Sequence, residues 1–106
     1  MKAVVYLNAS YCEDRRQGYE MEARAFAAKQ GYSVARTVVE AKNDALPWLL
    51  LKAKQLQVTA IVTPSIDHIG ARAQDVLDRC DLLIVYPSGF LPHGTRLAIP
   101  AHASRP

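Results

Sequence analysis

The chain has 106 residues, half of them hydrophobic and 22% charged, and a formal net charge of +3. This is the size and composition of one globular domain, and no apolar run approaches the ~20 residues that a membrane span requires. The apolar run after Lys2 is too short for a signal peptide, so we expect a cytoplasmic protein without membrane contacts, in which Cys12 and Cys80 are free thiols.

The first half of the chain alternates strand and helix patterns. Residues 2–7, KAVVYL, are typical of a buried strand, and residues 32–39, YSVARTVV, are rich in β-branched residues and predict a second strand. Residues 15–31 between them predict a helix that ends at Gly31. Its apolar face consists of Tyr19, Ala23, Phe26 and Ala27.

The second half continues this alternation. A second helix is predicted from Asp44, a good N-cap, with Pro47 in its first turn. The runs at 58–63 and 81–86 predict two further strands, and residues 70–80 predict a third helix. The apolar faces of the two helices are Leu46, Leu49, Leu50, Ala53 and Leu56, and then Ala73, Val76, Leu77 and Cys80.

The order β-α-β-α-β-α-β, with short connections, predicts a three-layer α/β/α fold with a mostly parallel sheet of four to five strands. We expect this domain to span residues 1–90, and residues 91–106 to form an irregular or flexible tail. If the strand order is 2-1-3-4, a site is expected where the order reverses, beyond the carboxyl ends of the first and third strands. The loops there carry Asn8, Ser10, Tyr11, Ser65, Asp67 and His68.

This polar cluster could support three kinds of chemistry. In the first, Ser10 is a nucleophile, His68 its base and Asp67 the orienting group, but adjacent residues in one loop rarely point the same way. In the second, His68, His93, His102 and a carboxylate hold a metal, but their spacing matches no metal site. In the third, the cluster handles a phosphate group. Neither a metal nor another cofactor is expected.

Five segments, in order, resemble the catalytic domain of the serine recombinases, the resolvase and invertase family. The segment KAVVYLNAS at 2–10 follows the family's pattern K-x-x-x-Y-x-R-V-S. The others are MEARAFAAKQGYSV at 21–34, LPWLLLKAKQ at 46–55, IVTPSIDHIGAR at 61–72 and VLDRCDLLIV at 76–85. The resemblance implies that Ser10 attacks a DNA phosphodiester and holds the cut end as a phosphoserine.

The chain departs from the family at its arginines, which stabilise the charge of the transferred phosphoryl group. Asn8 replaces the arginine of the first motif, and Leu46 replaces that of the R-P motif. In the motif L-D-R-L-x-R, Asp67 is kept, but the two arginines become His68 and Ala71, with Arg72 one residue further on. The resemblance therefore implies a resolvase-like fold with little catalytic power.

Three functions follow as hypotheses. The leading one is a resolvase-like, catalytically inactive domain that acts through protein contacts or weak, non-specific DNA contacts. The alternative is an active recombinase or nicking phosphoryl transferase that uses Ser10, with replacement charges from Arg72, His68 and either Arg15 or Arg16. In that case Asn8, Arg15 and Arg16 are the candidate phosphate- or DNA-binding residues. The third is a pure protein-interaction domain, acting as a homo-oligomer or with another protein.

Structural roles compete with these functional ones. Ser10 could close the first strand or cap the following helix, and His68 could be a surface residue. Cys12 is expected to be structural rather than reactive, and Trp48 is expected in the core. Leu46 and Trp48 could instead form an apolar lip where the family has a charged one.

Overall fold

The computed structural model describes residues 1–41 and 45–97, in which five strands and three helices follow one another. They are β1 (Lys2–Asn8), α1 (Arg16–Lys29), β2 (Ser33–Glu40), α2 (Ala45–Leu56), β3 (Val58–Thr63), α3 (Ala73–Leu77), β4 (Asp81–Ile84) and β5 (Gly89–Leu91). Short 3-10 turns lie at Ala9–Tyr11, Ile66–His68 and Gly70–Arg72. Among the described residues, no helix is long and apolar enough to cross a lipid bilayer.

The sheet has the order β2-β1-β3-β4-β5. The first four strands are parallel, and β5 is antiparallel to β4, with Leu82 opposite Leu91. The predicted order 2-1-3-4 is thus confirmed, as is the mostly parallel α/β sheet. The order reverses between β1 and β3, so the loops that follow these two strands share one edge of the sheet.

Two apolar cores flank the sheet, because side chains alternate between its faces. On one face, Ala3, Val5 and Leu7 of β1 pack in a core with Ala23 and Ala27 of α1. On the other, Val4 and Tyr6 pack with the four buried residues of α2 and with Ala73, Val76 and Leu77 of α3. The arrangement is the predicted three-layer α/β/α fold.

Specific residues mark the end of α1 and the start of α2. Gly31 has φ +90°, a conformation that favours glycine, and it follows α1 where the sequence predicts the end of the helix. The predicted N-cap of α2, Asp44, lies outside the described residues. The buried carboxylate of Glu40 accepts hydrogen bonds from the backbone N–H groups of Ala45, at 2.9 Å, and Leu46, at 3.3 Å.

The third helix is much shorter than the predicted span of 70–80. It covers only Ala73–Leu77, because two 3-10 turns precede it and Gly70, at φ +63°, cannot continue an α-helix. Its predicted apolar face is nevertheless buried. The strand predicted at 81–86 also ends early, at Ile84, although the N–H groups of Val85 and Tyr86 still donate to Thr63 and Pro64.

The chain after residue 86, for which the sequence predicts no helix or strand, contains a fifth strand. Residues Gly89–Leu91 form β5, which is only three residues long and lies between two prolines, so its sequence has no periodic pattern. Beyond it, the N–H of Gly94 donates to the carbonyl of Leu77 at 2.7 Å, and that of Leu97 to the side chain of Gln74 at 2.9 Å. The rest of the predicted tail, residues 98–106, lies outside the described residues, and the boundary at 90 remains a prediction.

Three expectations about α2 are wrong. The helix rests on the sheet through Leu46, Leu49, Leu50 and Ala53, and Trp48 points away from this face with 51% of its surface exposed. Leu56, expected in the same stripe, is 36% exposed at the end of the helix. Leu46 is fully buried, so it forms no apolar lip with Trp48.

Candidate functional site

The candidate site begins where β1 ends. Asn8 is its last residue, and Ala9–Tyr11 form a 3-10 turn in which Ser10 is exposed. The side-chain oxygen Oδ1 of Asn8 accepts a hydrogen bond from the backbone N–H of Ser10 at 3.0 Å. The N-cap of α1 is Arg15, so Ser10 does not cap that helix. Ser10 therefore lies on a well-defined turn at the carboxyl edge of the sheet.

His68 joins this turn to the loop after β3. Its Nδ1 accepts a hydrogen bond from the backbone N–H of Asn8 at 2.9 Å, and the residue is buried rather than on the surface. Burial lowers the pKa of His68, and the neighbouring carboxylate of Asp67 opposes this only in part. Since a backbone N–H can only donate, the ring is held neutral with its proton on Nε2.

The serine triad, which the sequence disfavours, is not assembled. The partner of Nδ1 of His68 is the backbone of Asn8, whereas a triad requires a carboxylate at that position. Asp67 lies in the same turn, Ile66–His68, and is exposed. Within the described residues, no hydrogen bond joins the hydroxyl of Ser10 to either of them.

A pocket of about 230 Å³ opens beside His68. Three tyrosine rings line it, those of Tyr11, Tyr19 and Tyr86, together with the side chains of Ser65, Asp67 and His68. The ring centroids of Tyr11 and Tyr19 lie 5.7 Å and 5.8 Å from that of His68, the second in an edge-to-face arrangement. No arginine or lysine is among the described residues that line this pocket.

Arg72, the nearest replacement for a family arginine, points toward a buried carboxylate. Its guanidinium nitrogen lies 4.0 Å from Oε1 of Glu40, whose side chain is 1% exposed. Oε1 also accepts a short hydrogen bond from the hydroxyl of Tyr6. Burial raises the pKa of Tyr6, with further contributions from Glu40. Arg72 therefore belongs to a network under the N-terminus of α2.

Arg15 and Arg16 lie at the start of α1, with both residues exposed. The guanidinium of Arg15 stacks 4.7 Å above the ring of Tyr19 and lies 3.7 Å from the carboxylate of Glu22. Arg16 is near enough to Cys12 to favour its thiolate slightly, but burial dominates and raises the pKa of Cys12. The thiol donates to the carbonyl of Asn8 at 3.3 Å, which agrees with the structural role expected for Cys12.

The remaining histidines do not join this cluster. His93 follows β5, where its backbone N–H donates to Asp81 at 2.7 Å and its ring bonds the carbonyl of Asp78. His102 lies outside the described residues. Groups of three or more potential metal ligands are absent from the part of the chain that the structure describes.

Sequence reasoning missed Glu40, Tyr19 and Tyr86 as residues of the site. Glu40 ends a strand of β-branched residues, one residue beyond the strand predicted at 32–39, and no role was predicted for it from the sequence. A carboxylate five residues before a helix is nevertheless a usable capping signal. Tyr19 was assigned to the apolar face of α1, and Tyr86 to the end of β4. Their convergence depends on how the loops pack, so no local pattern reveals it.

One solved structure with a similar fold is the N-terminal catalytic domain of TP901-1 integrase. The TM-score is 0.65 at 14% sequence identity, and the match covers 85% of this chain and 81% of that chain. Neither a scan of protein-family models nor a search of curated protein sequences gave a match. At this identity the likeness concerns the fold alone, and this chain shares the α/β fold of that catalytic domain.

Proposed function

We propose that this chain is a resolvase-like domain that no longer cleaves DNA and that acts through weak DNA contacts or protein contacts. The observation that carries the proposal is the state of His68. It stands where the family pattern has an arginine, yet its ring is buried, neutral and bonded to the backbone of Asn8. It therefore supplies no positive charge to a phosphoryl group at Ser10.

The other candidate charges support the same reading. Arg72 contacts the buried carboxylate of Glu40, which offsets its charge, and Arg15 stacks on Tyr19 beside Glu22. Phosphoryl transfer relies on preorganised positive charge, and loss of one such contact commonly costs ~2.7–4 kcal/mol, or ~10²–10³ in rate. With the arginines of the family pattern replaced, strand cleavage by Ser10 is expected to be negligible.

A covalent trap tests this proposal. The full chain is incubated with supercoiled and short duplex DNA, denatured, and examined for a protein–DNA adduct, with Ser10→Ala in parallel. We expect no adduct from either protein. A Ser10-dependent adduct would overturn the proposal and favour the alternative, an active recombinase or nicking enzyme.

The same mixtures, analysed without denaturation, test whether the chain contacts DNA or acts through protein contacts. A mobility shift of the DNA that falls steeply as salt is raised would indicate contacts between basic side chains and phosphates. The absence of both shift and adduct would favour protein contacts.

A surface on α2 favours protein contact as the second candidate. Trp48 and Leu51 are 51% and 69% exposed, and they lie on the side of α2 that faces away from the sheet. Exposed aromatic and aliphatic side chains of this size are frequent at protein interfaces. Size-exclusion chromatography of the wild-type chain and of Trp48→Ala over a range of concentrations tests for self-association through this surface.

A further inference from the structure

The pocket beside His68 is lined by aromatic rings that are not buried in the core. Tyr11 and Tyr86 line it and each keeps 53% of its surface exposed. Its volume of about 230 Å³ is below the ~300–1,000 Å³ typical of sites for drug-sized ligands. A pocket of this size with tyrosine walls suits one flat ring system that stacks on them.

The walls are held in position before any ligand arrives. His68 is buried and fixed by the backbone of Asn8, and it contacts the rings of Tyr11 and Tyr19. Arg15 covers the ring of Tyr19 at 4.7 Å from its centroid. The side chains that these contacts fix lose little conformational entropy when a ligand binds, so the side of the pocket formed by His68 and Tyr19 is preorganised.

The polar groups of the pocket select the kind of ring. Asp67 offers a carboxylate that accepts hydrogen bonds, Ser65 offers a hydroxyl, and neutral His68 carries its proton on Nε2. A carboxylate in a pocket lined by no described arginine or lysine disfavours a phosphate and favours a group with N–H donors.

We propose that this pocket binds one unpaired nucleobase, preferably guanine, from a single-stranded nucleic acid or a free nucleotide. Guanine presents two adjacent N–H donors on its Watson–Crick edge, which match the two oxygens of the Asp67 carboxylate, whereas thymine presents one. The inference rests on the proposed function, and it names an unpaired base, rather than a duplex groove, as what the site receives.

Fluorescence anisotropy with labelled oligonucleotides tests the pocket. The probes are a heptamer of thymidines, the same strand with a central guanine, and the duplex of the second strand. We expect the guanine-containing single strand to bind most tightly. Tyr11→Ala and Tyr86→Ala should each weaken it about 5- to 150-fold, the range for loss of one base–aromatic stack. Phe90→Ala, which removes another exposed aromatic ring, on β5 and outside the lining of the pocket, should bind as wild type.

Conservative variants separate stacking from folding. Tyr11→Phe and Tyr86→Phe keep the rings and should keep the affinity, and Asp67→Asn should reduce the preference for guanine over thymine. Competition with GMP distinguishes the source: displacement at equal concentration indicates a free nucleotide, and weaker displacement indicates a strand. The proposal that the pocket binds a base would be overturned if both alanine variants kept the wild-type affinity, or if no probe bound.

The outcomes also separate this inference from the proposed function. A duplex shift that both tyrosine variants retain, without single-strand binding, would overturn the base pocket and leave the proposed function intact. A Ser10-dependent covalent adduct would overturn the proposed function while leaving the tyrosine-dependent binding of a base as it stands.

Discussion

The backbone N–H of Asn8 donates a hydrogen bond to Nδ1 of His68 across 2.9 Å. The two residues are 60 positions apart in sequence, and their bond joins the carboxyl end of β1 to the turn after β3. Because this donor cannot also accept, a proton on Nδ1 would replace the bond with a repulsive contact. The protonation state of one ring therefore controls how the two loops of the site are held together.

Acidification should destabilise the fold through His68. Burial lowers the pKa of this residue below its ordinary value of 6.5, so the unfolded chain takes up the proton at a higher pH than the folded chain does. The stabilisation from neutral His68 is thus fully present above pH 6.5 and is lost as the pH falls through the lower pKa of the folded state. Urea unfolding at several pH values should show a steeper loss of stability below pH 6.5 in the wild type than in His68→Gln.

The matched control is His93→Gln, which removes an exposed histidine outside the site. The steep loss of stability below pH 6.5 should remain in this variant, because His68 is unchanged. If the free energy of unfolding depended on pH in the same way in the wild type and in His68→Gln, the role given to the bond between Asn8 and His68 would be contradicted.

The turn that carries Ser10 should depend on Asn8 and not on Ser10 itself. The amide oxygen of Asn8 accepts the N–H of Ser10 at 3.0 Å, whereas the hydroxyl of Ser10 is exposed. Loss of such a cap typically costs about 1 kcal/mol. We expect Asn8→Ala to lower the free energy of unfolding by about this amount and Ser10→Ala to change it by less than ~0.5 kcal/mol. Chemical unfolding measures both, and a larger loss in Ser10→Ala would reveal a structural role for its hydroxyl.

The sequence predicted the sheet because each parallel strand is a short apolar run between helical patterns. It also predicted that Ser10 and His68 lie at one edge, since this follows from strand order alone. It did not predict the burial of His68 or the exposure of Trp48. Both depend on how a turn or a helix packs against the neighbouring elements, and the hydrophobicity and spacing of residues do not determine this.

The network of contacts around Glu40 could not be predicted from the sequence for a related reason. Its partners are the hydroxyl of Tyr6, the guanidinium of Arg72 and two backbone N–H groups of α2, which come from three separate parts of the chain. A local pattern could indicate only the capping of α2, and no local motif contains Tyr6 and Arg72 as well. Their arrangement exists only once the sheet and α2 have packed.

Removal of the Glu40 carboxylate should be among the most damaging single changes. The side chain is 1% exposed and accepts bonds from Tyr6, Ala45 and Leu46. Glu40→Ala leaves these buried donors unpaired and Arg72 without this carboxylate, and breaking a buried pair of this kind costs about 3–5 kcal/mol. Glu40→Gln keeps one acceptor oxygen and should lose less. Urea unfolding midpoints measure the difference.

Glu20→Ala is the surface control for that measurement. Glu20 also accepts two side-chain bonds, from Thr37 of β2 at 2.6 Å and from Arg24 at 3.2 Å, but its side chain is 34% exposed. Its loss should cost no more than ~1 kcal/mol, because water replaces the missing partner. Equal losses in Glu20→Ala and Glu40→Ala would mean that the buried network does not hold α2.

The two native thiols should resist modification, although one of them lies beside the candidate site. Cys12 and Cys80 are 3% and 0% exposed, and burial raises the pKa of both, that of Cys80 to about 11. Because the thiolate is the reactive form, a thiol reagent such as DTNB at pH 8 should react slowly with the folded chain and rapidly in urea. Ser10→Cys adds an exposed thiol to the turn, and one equivalent of thiol in this variant should react rapidly with DTNB. A rapid equivalent in the wild type would mean that the loop around Cys12 opens in solution, and Cys12→Ser would identify the residue.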